Sequence, residues 1–178
     1  MAPLAEAGAN KSATSGDTLK TRGFVMISQK AKYALRALVS LARAEEAEES
    51  LIIADIAERN NIPRKFLEQI LLDLKRHGIL ESRRGKHGGY GLLRPAHKIT
   101  FGEVLRIVDG PIAPLPCLSK IAYRRCDDCG SEATCEVRRV FAKVTDATRA
   151  VLDTTTVADA IDDAQWSVDA SRKRARRA

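Results

Sequence analysis

No stretch of this 178-residue chain approaches the roughly eighteen consecutive apolar residues that a membrane-spanning helix needs, which excludes such a helix and a membrane partner. The first residues, MAPLAEAGANKSATSGDTLKTRGF, lack the basic start and apolar centre of a secretory signal. They read as a disordered small-residue extension, with Met26 as an alternative start. The expected compartment is therefore the cytoplasm, where thiols stay reduced. Histidine is scarce as well. His77, His87 and His97 are scattered, no catalytic constellation forms around them, and the chain is not expected to be an enzyme. Cysteine occurs in one place only: all four, Cys117, Cys126, Cys129 and Cys135, fall within CLSKIAYRRCDDCGSEATC at the spacing C-x8-C-x2-C-x5-C.

What the chain does have is a soluble composition, 44% apolar and 30% charged, and a net charge of +7. The tail SRKRARRA carries five positive charges, as a solvated end or a nonspecific phosphate contact. Residues 62–87 carry seven Lys or Arg against three acids inside a structured pattern. The acidic run EEAEE at 45–49 reads as a solvated loop between helices.

Ser28 is placed to cap a helix running through Ala44, with Ala34, Leu35, Leu38, Val39 and Ala42 on one face. A short helix near Ile53 to Arg59 follows, then a turn at Asn60 and Asn61. Pro63 opens a second helix with Phe66, Leu67, Ile70, Leu71 and Leu74 as its apolar face, and Gly78 ends it. Two helices around so short a turn form a helix-turn-helix. ILESRRGKHGGYGLLRP then reads as two strands around a glycine turn, a wing. Thr100 and Glu103 stand at capping-box spacing before a helix that stops at Gly110–Pro111. After the cysteines, Val137, Val140, Phe141, Val144, Ala147, Val151 and Leu152 predict a helix of about five turns. A small winged domain is too short to cover that stripe, and an equivalent helix in a twofold homodimer would bury it.

In a helix-turn-helix the second helix enters the major groove of double-stranded DNA with its N-terminal residues nearest the bases. Those residues are Arg64, Lys65, Glu68 and Gln69 after Pro63, able to read guanine, cytosine or adenine edges or to hold phosphate. Arg83, Arg84, Lys86 and His87 sit on the wing, within reach of a minor groove. A twofold dimer implies a pseudo-palindromic operator and an affinity that falls steeply with salt.

Four thiols in a reducing compartment point to a shared soft-metal site rather than a structural disulfide. A thioredoxin-like role for Cys126 and Cys129 is disfavoured, because Asp127 and Asp128 oppose thiolate formation. Tetrathiolate zinc usually takes two close pairs, and only one is present; iron–sulfur clusters accept more varied spacing. Both remain open on spacing. Arg124 and Arg125 are expected to offset the charge of either centre.

From Met26 to about Asp163 the chain resembles the IscR-type, or Rrf-two, family of bacterial transcription regulators. The resemblance rests on ISQKAKYALRAL, ADIAERNNIPRKFLEQIL, LKRHGILESRRGKHGGYGLLRP, ITFGEVLRIVDGPI and TTTVADAI. It implies a dimeric winged-helix regulator, in many members sensing iron, redox state or nitric oxide through a [2Fe–2S] or [4Fe–4S] cluster. Other members, regulators of cysteine metabolism, lack the cluster. By position, Arg64, Lys65, Glu68 and Gln69 match the family's recognition-helix residues, and Arg84 matches its wing arginine. Cys117, Cys129 and Cys135 match its cluster cysteines. Arg138 stands where some members have a ligating histidine, and Lys32 stands where others have a ligating acid. Cys126 is thereby assigned as the fourth ligand.

The expected fold class is mainly α: a winged helix-turn-helix with a two-stranded wing and a long C-terminal dimerisation helix. The expected parts are a disordered extension (1–25), the DNA-binding domain (26–110), a cysteine-rich cluster-binding loop (111–135), the dimerisation helix with a short terminal helix (136–163), and a basic disordered tail (164–178). The expected function is sequence-specific transcriptional regulation, as a repressor, with a zinc-stabilised or cluster-free regulator of sulfur metabolism as the alternative.

Overall fold

The computed structural model describes residues 27–85 and 88–162. The expected N-terminal extension, the basic tail, and Lys86 and His87 of the wing lie outside the described residues.

Helix α1 (Gln29–Glu46) is the central element. Ser28 caps it, its hydroxyl accepting from the Ala31 N–H at 3.0 Å. The same residue is held by Asp109: the Ser28 N–H donates to the carboxylate at 2.8 Å, and its hydroxyl donates as well. Ala31, Ala34, Ala37 and Ala42 are buried beside Leu35, Leu38 and Leu41, so small side chains let neighbouring elements approach α1 closely. Helix α2 (Ile53–Asn60) ends in a buried Asn60, whose amide donates to Ser40 Oγ at 3.0 Å and to the Ile56 carbonyl at 2.9 Å. Asn61 adopts the left-handed conformation (φ 50°), and Pro63 is the N-cap of α3 (Arg64–Arg76) rather than its first helical residue. Leu67, Ile70, Leu71 and Leu74 of α3 are fully buried. Phe66 is 39% exposed, and its ring meets Tyr33 of α1 edge-on at 5.8 Å instead of joining the core.

Gly78 (φ +69°) reverses the chain into an antiparallel hairpin, β1 (Leu80–Arg83) and β2 (Gly89–Leu92). Its register pairs Leu80 with Leu92 and Arg83 with Gly89. The hairpin has a third contact: the Tyr90 N–H donates to the Leu51 carbonyl at 2.9 Å, beside the start of α2. Thr100 caps α4 (Phe101–Val108) through the Glu103 N–H at 3.2 Å, while the Glu103 carboxylate turns away to Arg94 at 2.7 Å.

Helix α5 (Glu136–Thr154) is about 28 Å long. The chain then returns to the core: Val157 is fully buried and its N–H donates to the Ile99 carbonyl at 2.9 Å. The Phe101 N–H donates to the Thr155 carbonyl at 2.9 Å, and the short α6 (Asp159–Asp162) packs near α1. The architecture is a winged helix-turn-helix from which one long helix extends.

The acidic run is only partly a solvated loop. Glu45 and Glu46 complete α1, and the Glu49 carboxylate takes a two-pronged hydrogen bond from Arg59, which holds it below the ordinary glutamate range.

Recognition helix α3 is also tied to α1 by Lys30, whose ammonium donates to Asp73 at 2.7 Å. That hydrogen bond holds the Asp73 carboxyl below its ordinary value, with smaller help from Arg76 and His77. A depressed folded value stabilises the fold above the unfolded aspartate pKa of about 3.9 and loses that contribution as pH falls through the folded value. Asp73→Asn should therefore cost about 0.2–1 kcal/mol in urea unfolding at neutral pH. The deficit should shrink as the solution is acidified below the ordinary aspartate range; a deficit independent of pH would contradict this role.

Candidate nucleic-acid interface and cysteine cavity

Burial of one face of α3 dictates what the other presents. With Leu67, Ile70, Leu71 and Leu74 in the core, Arg64, Lys65, Glu68 and Gln69 are all exposed on the first two turns. Arg64 Nε lies 3.7 Å from Glu68 Oε1, an i,i+4 pair in water that is weak enough to exchange for another partner. The wing is fixed relative to this helix by the Lys75 ammonium, which donates to Ser82 Oγ on β1. At the base of the wing, a Cβ on Gly89 would lie 2.5 Å from the Leu51 carbonyl oxygen, so this close approach needs glycine. Arg83 pairs with Glu81 across the same strand face. Arg84 is exposed, and no ion pair involves it among the described residues. Gly85 (φ +108°) begins the turn, and Lys86 lies outside the described residues.

The cysteines are delivered by three separate local structures. A single 3-10 turn, Pro116–Leu118, carries Cys117, which is 5% exposed. The Arg149 guanidinium of α5 donates to the Leu118 carbonyl at 2.9 Å and fastens that turn to the helix. Cys126 and Cys129 flank a tight turn in which the Cys129 N–H donates to the Cys126 carbonyl at 3.2 Å. Arg125 closes this turn by donating to the carbonyls of Cys129 and Gly130 at 2.7 and 2.8 Å. Cys135 is the N-cap of α5, its sulfur accepting from the Arg138 N–H at 3.3 Å. A helix N-terminus favours negative charge, which suits a thiolate at this place.

All four cysteines are free thiols and line one cavity of about 540 Å³, together with Leu115, Asp128 and Arg138. Burial raises the Cys126 thiol above its ordinary value, and its hydrogen bond with Cys117 and the neighbouring Cys117, Cys129 and Asp128 add to the effect. Crowding of this kind opposes thiolates in the absence of a cation and is reversed by a metal, which holds coordinating thiols deprotonated. The donor set fits a soft metal centre.

Arg124 and Arg125, expected to offset the charge of such a centre, do not line the cavity, although Arg125 holds its charge beside Cys129. The Arg125 guanidinium is engaged by backbone carbonyls, and Arg124 is exposed. The arginine that lines the cavity is Arg138, three residues after Cys135 and so on the same side of the helix's first turn.

Helix α5 has two apolar faces. Thr145 and Leu152 pack inward, so Leu152 belongs to the core side and not to the outer stripe. Val137, Val140, Phe141, Val144 and Val151 are between 37% and 63% exposed, and the helix does not fold back to cover them on its own domain.

A family model described as Rrf2, an iron-dependent transcriptional regulator, matches residues 27–163. An rrf2-like HTH-type transcriptional regulator of Rhodobacter capsulatus is 48% identical over 136 residues, spanning 75% of this chain and 91% of its own. Among solved structures, CymR, the global cysteine regulator of B. subtilis, is similar with a TM-score of 0.64 at 32% identity, covering 76% of this chain and 95% of that one. IscR of T. potens is similar with a TM-score of 0.61 at 28% identity, covering 79% of this chain and 89% of that one.

Proposed function

This chain belongs to the Rrf2 family of winged-helix transcriptional regulators, and from that premise we propose that it is a homodimeric, DNA-binding repressor that senses iron, redox state or nitric oxide through an iron–sulfur cluster. Its proposed ligands are Cys117, Cys126, Cys129 and Cys135. The observation that carries the reading is the convergence of all four thiols on one cavity at the head of α5. When bound, the cluster supplies a centre that iron supply, oxidants or nitric oxide can remove or alter. The chain's own residues do the rest. Cys117 and Cys126–Cys129 belong to loop turns, Cys135 caps α5, and Arg149 ties the first turn to the same helix. Holding the four sulfurs together therefore fixes the loop on α5. The outer stripe of α5 is the proposed contact between two copies, so a change at the loop alters how the two winged units are set against a pseudo-palindromic operator.

DNA contact is assigned to Arg64, Lys65, Glu68 and Gln69 in the major groove and to Arg84 and Lys86 at the wing, from their exposure or from their place in the winged pattern. Arg64→Ala should cost about 1–3 kcal/mol of operator affinity if it reads a base edge. Arg84→Ala should weaken binding and lessen its salt dependence. Fluorescence anisotropy on operator and unrelated duplexes at two salt concentrations distinguishes these effects; unchanged affinity in both variants would remove this surface from the interface.

The likeness to CymR supports a second reading, a cluster-free or zinc-stabilised regulator of sulfur metabolism. Anaerobic purification separates the two. A brown protein with matching iron and acid-labile sulfide is expected, and Cys126→Ala should lose most of both. A colourless protein containing zinc would establish the second reading, and full cluster retention by Cys126→Ala would overturn the four-thiolate assignment.

A further inference from the structure

The cysteine cavity contains one cationic side chain that coordination does not use. Arg138 lines it, and its Nε is buried without a hydrogen-bond partner among the described residues. The backbone of the same residue already addresses the site, since its N–H donates to Cys135 Sγ. Its guanidinium is ion-paired with Glu132, whose Oε2 lies 3.4 Å from Nε, and the pair holds it at the cavity wall. Glu132 is held in turn by the Tyr123 hydroxyl, which donates to Oε1; the carboxylate keeps that phenol above its ordinary value. Tyr123, Glu132 and Arg138 thus form a relay from the loop to the cavity wall.

We propose that Arg138 is a positioning residue for the metal centre, a guanidinium N–H not facing Glu132 donating to a cluster or cysteine sulfur and its positive charge, shared with Glu132, offsetting part of that of the four thiolates. The proposal rests on the iron–sulfur reading above. Four thiolates around a dicationic cluster leave a net charge near −2, and each added electron makes it more negative. A guanidinium stays protonated throughout the physiological range, so its compensation does not vary with pH. Hydrogen bonds to sulfur and nearby positive charge both raise a cluster's reduction potential. Arg138 should therefore favour the reduced state and slow the loss of iron. A ligating side chain at this place would add a donor to iron; arginine instead adds charge outside the coordination sphere, leaving the fourth ligand to Cys126.

The test uses the full chain, purified anaerobically as wild type, Arg138→Met and Arg138→Lys. Iron and sulfide per chain are measured first, then the midpoint potential of the one-electron couple and the rate of iron loss to a chelator. Arg138→Met should keep wild-type iron and sulfide, show a lower midpoint potential and release iron faster, with Arg138→Lys in between. An unchanged potential in fully loaded Arg138→Met overturns the proposal. Should the methionine variant fail to load, Arg138→Gln decides, with a potential below wild type supporting the role and one equal to it overturning the role. Wild-type protein that contains neither iron nor sulfide refutes the iron–sulfur reading itself, and the assignment of Arg138 falls with it.

Discussion

The close approach of α5 to α4 at Gly102 is the contact on which the rest of the molecule depends. A Cβ at that position would fall 2.1 Å from Asp153 Oδ1 and 3.1 Å from the Leu152 carbonyl oxygen, so a larger residue would turn the Asp153 carboxylate aside and crowd the helix backbone. The Arg106–Asp153 ion pair closes the same seam, and the hydrogen bond from the Phe101 N–H to the Thr155 carbonyl completes it. All three act near the C-terminal end of α5. Everything toward its N-terminus takes its place from this clamp, including the exposed valine stripe, the loop fastened by Arg149 and the Cys135 cap. Asp109, at the end of α4, meanwhile grips Ser28 at the start of α1. Contacts in series therefore link α5 to α4 and α4 to α1, the helix on which α3 and the wing pack.

The outer face of α5 leaves a row of apolar side chains uncovered on a single copy of the chain. Burying a side chain such as valine or phenylalanine is worth about 1.5–3 kcal/mol relative to leaving it in water. Five such residues stand in one row at helical spacing, continuous with the wall of the cysteine cavity at Val137. The proposed pairing of two such rows would place each cysteine loop beside the dimer contact. The chemistry of the loop and the separation of the two reading heads would then be set by one helix.

Much of this was legible in the sequence because the signals are local. Ser28 and Thr100 cap their helices through N–H groups three residues away, Gly78 ends α3 with a positive φ, and the glycines of GKHGGYG permit the wing. The parts that were not legible depend on residues far apart in the chain. Nothing local says that Tyr90 bonds to Leu51, that Val157 returns to Ile99, or that Gly102 exists to admit Asp153. Apolar character alone does not separate Leu152 from the outer stripe, yet one helical residue turns the side chain by about 100°, enough to carry it from Val151's face to the core. At the cysteines, spacing located the candidate ligands but not the arginines. Arg125, adjacent to Cys126, binds the turn's own carbonyls, and Arg138 lines the cavity because helix α5 begins at Cys135.

The central claim is that the state of the cysteine cavity is felt at the DNA-reading surface through α5. The most direct measurement is the affinity of the full chain for one operator duplex, cluster-loaded and cluster-free, under anaerobic conditions at a single fixed salt concentration. Two different dissociation constants for the operator are expected. Equal constants, obtained with protein whose iron and sulfide content confirms the two states, would contradict the claim.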